Sequence, residues 1–351
     1  MKIAVDAMGG DNAPLQIVEG ILYCLPDLDE DVKLVLVGNS EEVKRAFNGR
    51  DLEWESRLEF VNTTERIEMK ESPMEALRNK PNNSISLATM LVKEGRADAV
   101  LSAGNTGAMV GSASLLLGKL DGVQKAGIAA VMPTPKGQTI LLDVGANVNC
   151  RSTHLVQYAA MGAVMYAKLY DIEKPKVGLL SVGGESGKGS TIVKEAIYML
   201  NESLNIEDLP FEFAGLVEGH ELMTGNVDVL ICDGFTGNVL LKFAESVNEN
   251  FLSVFKNTIN ALVEKKQGDT NKINGIFEKV APSFDWSSTG GAELLGIKGT
   301  TMIAHGRSNK KAIASAIKIC SKMVKHRIQN HIQDVINIVN TQIIKNTIKS
   351  G

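Results

Sequence analysis

A chain of 351 residues with 44% hydrophobic content holds enough apolar material for one large α/β domain or two smaller ones. Its net charge of −4, with no long basic block, excludes general nucleic-acid binding. Four scattered cysteines (Cys24, Cys150, Cys232, Cys320) form no CxxC pair, and five histidines show no close pairing, so no zinc or dithiol centre is expected.

In chain order, MKIAVDAMGG lacks the apolar core of a signal peptide. No apolar run is long enough to cross a bilayer, so a soluble or at most peripheral protein with reduced thiols is expected. Lys2–Val5 reads as a strand that breaks into Asp6-Ala7-Met8-Gly9-Gly10-Asp11-Asn12, followed by a helix over Ile17–Cys24. Val32–Val37 is a second buried strand, with Ser40 expected to cap a helix over Glu41–Phe47. Leu58–Val61 is a weaker strand. Ser72 and Pro73 open a helix, and Ile85–Gly95 is amphipathic. Ala97–Ser102 is a strand ending in Ala103-Gly104-Asn105-Thr106.

Strands over Ile128–Met132 and Thr139–Asp143 come next, the second closing in Val144-Gly145-Ala146-Asn147 before a long helix over Ser152–Tyr170. Lys176–Ser181 is a strand leading into a glycine loop that carries Lys188. Val227–Cys232 ends in Asp233-Gly234-Phe235-Thr236-Gly237-Asn238, read as a tight loop whose free N–H groups and following helix suit an oxyanion. Phe243–Lys266 is helical, with Phe251, Phe255, Ile259 and Leu262 on one stripe. Ile273, Ile276, Phe277 and Val280 mark a second helical run, so 243–286 is expected to be an inserted helical hairpin for dimer or membrane contact. Ser287–Gly299 reads as loop, Thr300–Ala304 as a last strand ending in His305-Gly306, and Ser308–Lys349 as helix.

Alternating β and α elements predict a single large, doubly wound α/β domain with a mainly parallel sheet of Rossmann-like topology. Parallel strands would send the six Gly/Asn/Asp loops to one edge, where such sheets bind ligands. Walker A, G-x-G-x-x-G, G-x-S-x-G and H-E-x-x-H patterns are absent. Lys188 can pair with phosphate, and Asn105, Thr106, Asn147, Thr236 and Asn238 offer neutral donors, although Asn and Thr also cap helices. Asp6, Asp143 and Asp233 can orient donors, accept a proton or hold a cation; each also suits a plain turn. His305 can donate to a developing negative charge. Cys232 could carry a thioester, but its strand context favours inert packing.

The motifs VDAMGGDNAP, SPMEALR, SAGNTGA, DVGAN, CDGFTGNVLLK, GGAELLGIKG and IAHG, in this order, resemble the bacterial phosphate acyltransferase family. The resemblance implies transfer of a fatty acyl group from acyl-acyl-carrier-protein to inorganic phosphate. The acyl phosphate formed would feed phosphatidic acid synthesis through a downstream glycerol-3-phosphate acyltransferase. It also implies a fold similar to the isocitrate/isopropylmalate dehydrogenases, a homodimer, no cofactor, and a cytoplasmic protein held loosely at the inner face of the membrane. Direct attack by phosphate is expected, with Lys188 and the Gly104–Thr106 and Gly234–Asn238 loops holding it and His305 or Asn238 near the oxyanion. The stretches Ser181-Val182-Gly183-Gly184-Glu185 and Thr289-Gly290-Gly291-Ala292-Glu293, and Arg307, depart from the family's usual pattern, which weakens any role for Ser181, Thr289 or Arg307. A carrier-binding scaffold without activity, and a dehydrogenase on the same fold, are the competing readings.

Overall fold

The computed structural model describes residues 1–185, 187–204, 209–264 and 289–350. Its strands are β1 (Lys2–Asp6), β2 (Lys33–Gly38), β3 (Leu58–Asn62), β4 (Ala99–Ser102), β5 (Gly127–Thr134), β6 (Gly137–Leu142), β7 (Lys176–Ser181), β8 (Glu212–Glu218), β9 (Val229–Ile231), β10 (Ala292–Leu295) and β11 (Thr300–Ile303). The helices are α1 (Leu15–Cys24), α2 (Ser40–Phe47), α3 (Pro73–Asn79), α4 (Ser84–Lys93), α5 (Thr106–Leu116), α6 (Ser152–Tyr170), α7 (Thr191–Tyr198), α8 (Gly234–Glu264), α9 (Lys310–Lys325) and α10 (Ile328–Ser350). All strands join one sheet in the order β3-β2-β1-β4-β11-β10-β5-β6-β9-β7-β8.

The alternation of side chains along each strand divides the core in two. Ile3, Val5, Leu34 and Leu36 face one side with α1, α6, α9 and α10. Ala4, Val35, Val37 and Val100 face the other with α4 and α5. Both faces are covered, which is why the strands read as continuous apolar runs. No described helix is long and apolar enough to cross a membrane.

The sheet is mainly parallel, as expected, but contains a central run of antiparallel pairings. β10 pairs antiparallel with both β11 and β5, and β5 pairs antiparallel with β6. The strands β6, β9, β7 and β8 therefore run opposite to β1–β4 and β11. Their loops still meet, because the register is staggered. Ile303 pairs with Ala292, Ala292 with Ala130, and Ala130 with Leu141. The carboxyl end of β11 thus lies level with the carboxyl end of β6, across β10 and β5. Two oppositely running halves abut at their carboxyl ends in the middle of the sheet.

Three further expectations are corrected. Asn39, not Ser40, caps α2: its Oδ1 accepts from Glu41 N and Glu42 N at 3.1 and 3.3 Å. The stretch Ser287–Gly299 contains β10 rather than only loop. The terminal helix is two helices, α9 and α10, parted at Arg327 (φ 48°), a left-handed position. The second arm of the expected hairpin, with Ile273, Ile276, Phe277 and Val280, lies outside the described residues, as do the side chains of Ile259 and Leu262.

Candidate active site

Two buried carboxylates hold the loops after β6 and β1, and backbone bonds join these to the loops after β9 and β11. Asp143 is 0% exposed. Its Oδ1 accepts from Ile128 N, Gly145 N and Ala146 N at 2.9–3.0 Å, and its Oδ2 from Asn147 N at 2.8 Å. Burial pushes its carboxyl up while these donors pull it down. Asp6 does the same at β1: Oδ2 accepts from Ser102 Oγ at 2.7 Å and Oδ1 from Met8 N at 3.1 Å, with burial again raising the carboxyl. Asn147 spends its side-chain amide on Asp143 Oδ2 and Tyr158 Oη. Asn105 spends its own on Met69 O, Glu71 O and Ala108 N. These four residues hold the loops; their polar atoms are used within the fold.

Asp233-Gly234-Phe235-Thr236-Gly237-Asn238 is the start of α8, not a loop before it. Asp233 Oδ1 accepts from Phe235 N and Thr236 N at 3.0 and 2.9 Å, and Thr236 Oγ1 donates to Asp233 Oδ2 at 2.8 Å. Gly234 N donates to Asn147 O and Gly237 N to Asp233 O. The first four amides of α8 are therefore engaged, and an internal carboxylate already occupies the positive helix end. The expectation that this turn presents free N–H groups is corrected. At the cavity the open helix start is that of α5, where the amides of Thr106 and Gly107 have no acceptor among the described residues.

The glycines read as approaches to a ligand are approaches of loop to loop. A Cβ on Gly9 would lie 2.6 Å from Gly104 N, and one on Gly234 would lie 2.7 Å from Asn147 O. A Cβ on Gly237 would sit inside van der Waals contact with the Asp143 carbonyl. Gly10, with φ 104°, faces Gly306 O. Asp11 N donates to that same Gly306 O at 2.8 Å, while the side chains of Asp11 and Asn12 are exposed and do not line the cavity.

That cavity, of about 350 Å³, lies over β5 and β10 where the two halves of the sheet meet. It is in the size range of small-molecule sites. Ile128, Val131, Val144, Leu241 and Ile303 form apolar walls; Thr106, Asn238, Lys242 and His305 supply polar groups. Thr106, Asn238 and His305 were legible candidates. Lys242, Glu245, Glu249 and Arg307 were not. The first three share one face of α8 with Asn238, at i+4, i+7 and i+11, and that spacing was the available signal. Lys242 Nζ lies 2.8 Å from Glu245 Oε2 and 3.2 Å from His305 Nε2. Arg307 N donates to His305 Nδ1 at 3.2 Å. With partial burial and then the Lys242 ammonium both disfavouring a second proton, the ring is held below the usual histidine range. Arg307 Nη2 reaches Glu249 at 3.6 Å.

Lys188 stands apart. It is exposed on the loop after β7, does not line the cavity, and has no carboxylate partner among the described residues. Cys232 is buried, and burial pushes its thiol well above the usual range. A thiolate nucleophile is disfavoured there. No group of three His, Cys, Asp or Glu among the described residues is placed to hold a metal.

The fold is shared with solved phosphotransacetylases. The EutD phosphotransacetylase from Staphylococcus aureus matches with a TM-score of 0.60 over 92% of this chain and 94% of that one, at 19% identity. The 4-hydroxythreonine-4-phosphate dehydrogenase from Klebsiella pneumoniae shares the fold more distantly, with a TM-score of 0.52 over 92% and 99% of the two chains, at 13% identity. Residues 1–331 match the family described as fatty acid synthesis protein. Phosphate acyltransferase from Dictyoglomus turgidum is 40% identical over 96% of this chain and 98% of its own. That from Thermodesulfovibrio yellowstonii is 42% identical over 96% and 94%. The chain belongs to this family, and its curated relatives are phosphate acyltransferases.

Proposed function

We propose that the cavity joins a fatty acyl thioester to inorganic phosphate, with acyl-acyl-carrier-protein as donor and acyl phosphate as product for phospholipid synthesis. One observation carries this reading. A single cavity is lined by the start of α5, by Asn238 and Lys242 of α8 and by His305, opposite apolar walls suited to an alkyl chain.

Phosphate is already anionic at neutral pH and needs little base assistance. Its oxygen attacks the thioester carbon, the C–O bond forms, the C–S bond breaks, and the thiolate departs to be protonated by solvent. The Thr106 and Gly107 amides and Lys242 hold the phosphate. Asn238 Nδ2, free of partners among the described residues, donates to the oxyanion, worth about 3 kcal/mol for a well-placed donor. Glu245 holds the Lys242 ammonium in place, and neutral His305, with Nδ1 accepting from Arg307 N, keeps its Nε2–H as a further donor at the cavity. Lys188 adds a second cation by swinging on Gly187 and Gly189, both at φ 92°. Asp6, Asp143, Asp233, Asn105, Asn147 and Thr236 act through the loops they hold. Cys232 takes no part.

The test is loss of acyl-acyl-carrier-protein in the presence and absence of phosphate, with acyl phosphate trapped by hydroxylamine. Trapped product only with phosphate is expected. Binding of the carrier without turnover would leave the scaffold reading, and thermal stabilisation by NAD the dehydrogenase one.

Val239, Phe243, Val247 and Val254 form an exposed apolar stripe on α8, on the side away from the cavity residues, with exposed Phe235 at its margin towards Lys242. The stripe supports a homodimer contact, with attachment to the inner face of the membrane as the second use of the same surface. Sedimentation and liposome flotation of Phe243→Glu separate the two: loss of the dimer alone favours the first, and loss of flotation alone the second.

A further inference from the structure

The first turn of α9 carries its charges the wrong way round. Asn309 caps the helix, its Oδ1 accepting from Ala312 N at 3.0 Å, and the next two residues are Lys310 and Lys311, with no acid in the turn. A cation at a helix start opposes the backbone dipole. Where the described helices carry end charges of both signs the order is the favourable one. α2 opens on Glu41 and Glu42 and closes on Lys44 and Arg45, and α9 itself closes on Lys322 and Lys325. Packing does not demand the exception, because both side chains are exposed and neither meets a carboxylate among the described residues.

What surrounds them is the cavity opening. Arg307, Ser308, Asn309 and Ala312 line the cavity, and Lys310 and Lys311 stand between them in the same first turn, with the Lys310 backbone against Gln16 and Gly20 of α1. Lys70 is also exposed, beside the Met69 side chain that abuts Gly306. Of the acids nearby, Glu245 is matched with Lys242 and Glu249 with Arg307, and exposed Asp11, beside Gly306, offsets one of the remaining cations. The rim therefore keeps an excess of positive charge on a chain whose net charge is −4.

We propose that Arg307, Lys310 and Lys311 form the docking patch for an acidic protein surface that delivers the acyl thioester into the cavity. The inference rests on the acyl-transfer reading and names the face on which the carrier protein lands. Charge complementarity of this kind steers encounter and sets orientation. A protein is favoured over an anionic bilayer because the patch borders the opening the donor must enter, while the apolar stripe of α8 faces away from it.

The double variant Lys310→Glu/Lys311→Glu tests this, assayed with acyl-acyl-carrier-protein and with a short acyl-pantetheine thioester that has no protein attached. The KM for the carrier-borne donor is expected to rise on the order of tenfold at low salt, with the gap to the unaltered protein narrowing as salt screens the rim. The kcat and the KM for the short thioester stay within about twofold, as expected of a change confined to encounter. Thermal stability does not fall, since Glu suits a helix start. Equal shifts for both donors, or no shift for either, overturn the proposal. So does loss of binding to phosphatidylglycerol vesicles with the carrier KM unchanged, which would assign the patch to lipid. If the unaltered protein transfers acyl groups to phosphate from neither donor, the acyl-transfer reading fails separately. The patch is then judged by titration with acyl-acyl-carrier-protein, and equal Kd values for the two forms overturn it.

Discussion

Replacing Glu293 with Gln should stabilise the protein, and by more as pH rises. Glu293 sits on β10 at 0% exposure. Its Oε1 accepts from Thr301 N at 2.9 Å and from Gln329 Nε2 at 3.2 Å, while its Oε2 has no partner. Burial pushes its carboxyl well above the usual range, against the smaller pull of those two donors. A raised carboxyl is stabilising in relative terms only below the unfolded-state value, near 4.3. As pH rises from there towards the folded-state value, the unfolded chain loses its proton and the folded one keeps it. Folding then loses about 1.4 kcal/mol per pH unit, until the folded carboxyl itself ionises. Gln keeps an acceptor for Thr301 N and does not titrate. Stabilities from urea unfolding of both proteins at pH 5 and pH 6 should therefore diverge as pH rises, by up to about 1.4 kcal/mol between the two conditions. A difference that stays constant with pH would show that Glu293 is not held neutral, and would refute the reasoning.

Gly237→Ala should cost about 3 kcal/mol or more, read as a fall in Tm, because its Cβ would press on the Asp143 carbonyl and lie 2.8 Å from Cys232 Sγ. Lys242→Ala should raise the KM for phosphate by roughly tenfold, the loss of one charge-assisted contact. Asn238→Ala should instead lower kcat by on the order of a hundredfold with the phosphate KM little changed, as expected of a group that acts on the oxyanion. Because His305 is held below the usual histidine range, any activity loss caused by its protonation should be confined to pH values under about 6.5, and His305→Gln should flatten that limb of the profile.

The sequence disclosed the elements well where periodicity was strong. Ser152–Tyr170 and Lys176–Ser181 match α6 and β7 end to end. β10 was hidden because it is four residues long, follows two glycines, and carries an acidic residue at a buried position. The reversal of strand direction was half visible. Only Pro135-Lys136 separates Thr134 from Gly137, which is the length of a hairpin turn, and a hairpin makes β5 and β6 antiparallel. Composition alone did not reveal what each glycine faces. Gly9, Gly234 and Gly237 are needed for close approach, but the approaching groups are Gly104 N, Asn147 O and Asp143 O from distant loops. For the same reason the Asp233 turn resembled an anion cradle until its own carboxylate was seen to fill it.

A crystal soaked in phosphate tests the assignment of the cavity most directly. The ion should lie at the start of α5, within hydrogen-bond distance of the Thr106 and Gly107 amides, with the Lys242 ammonium against it and Asn238 alongside. Phosphate bound instead at the first turn of α8, or outside the cavity altogether, would contradict it.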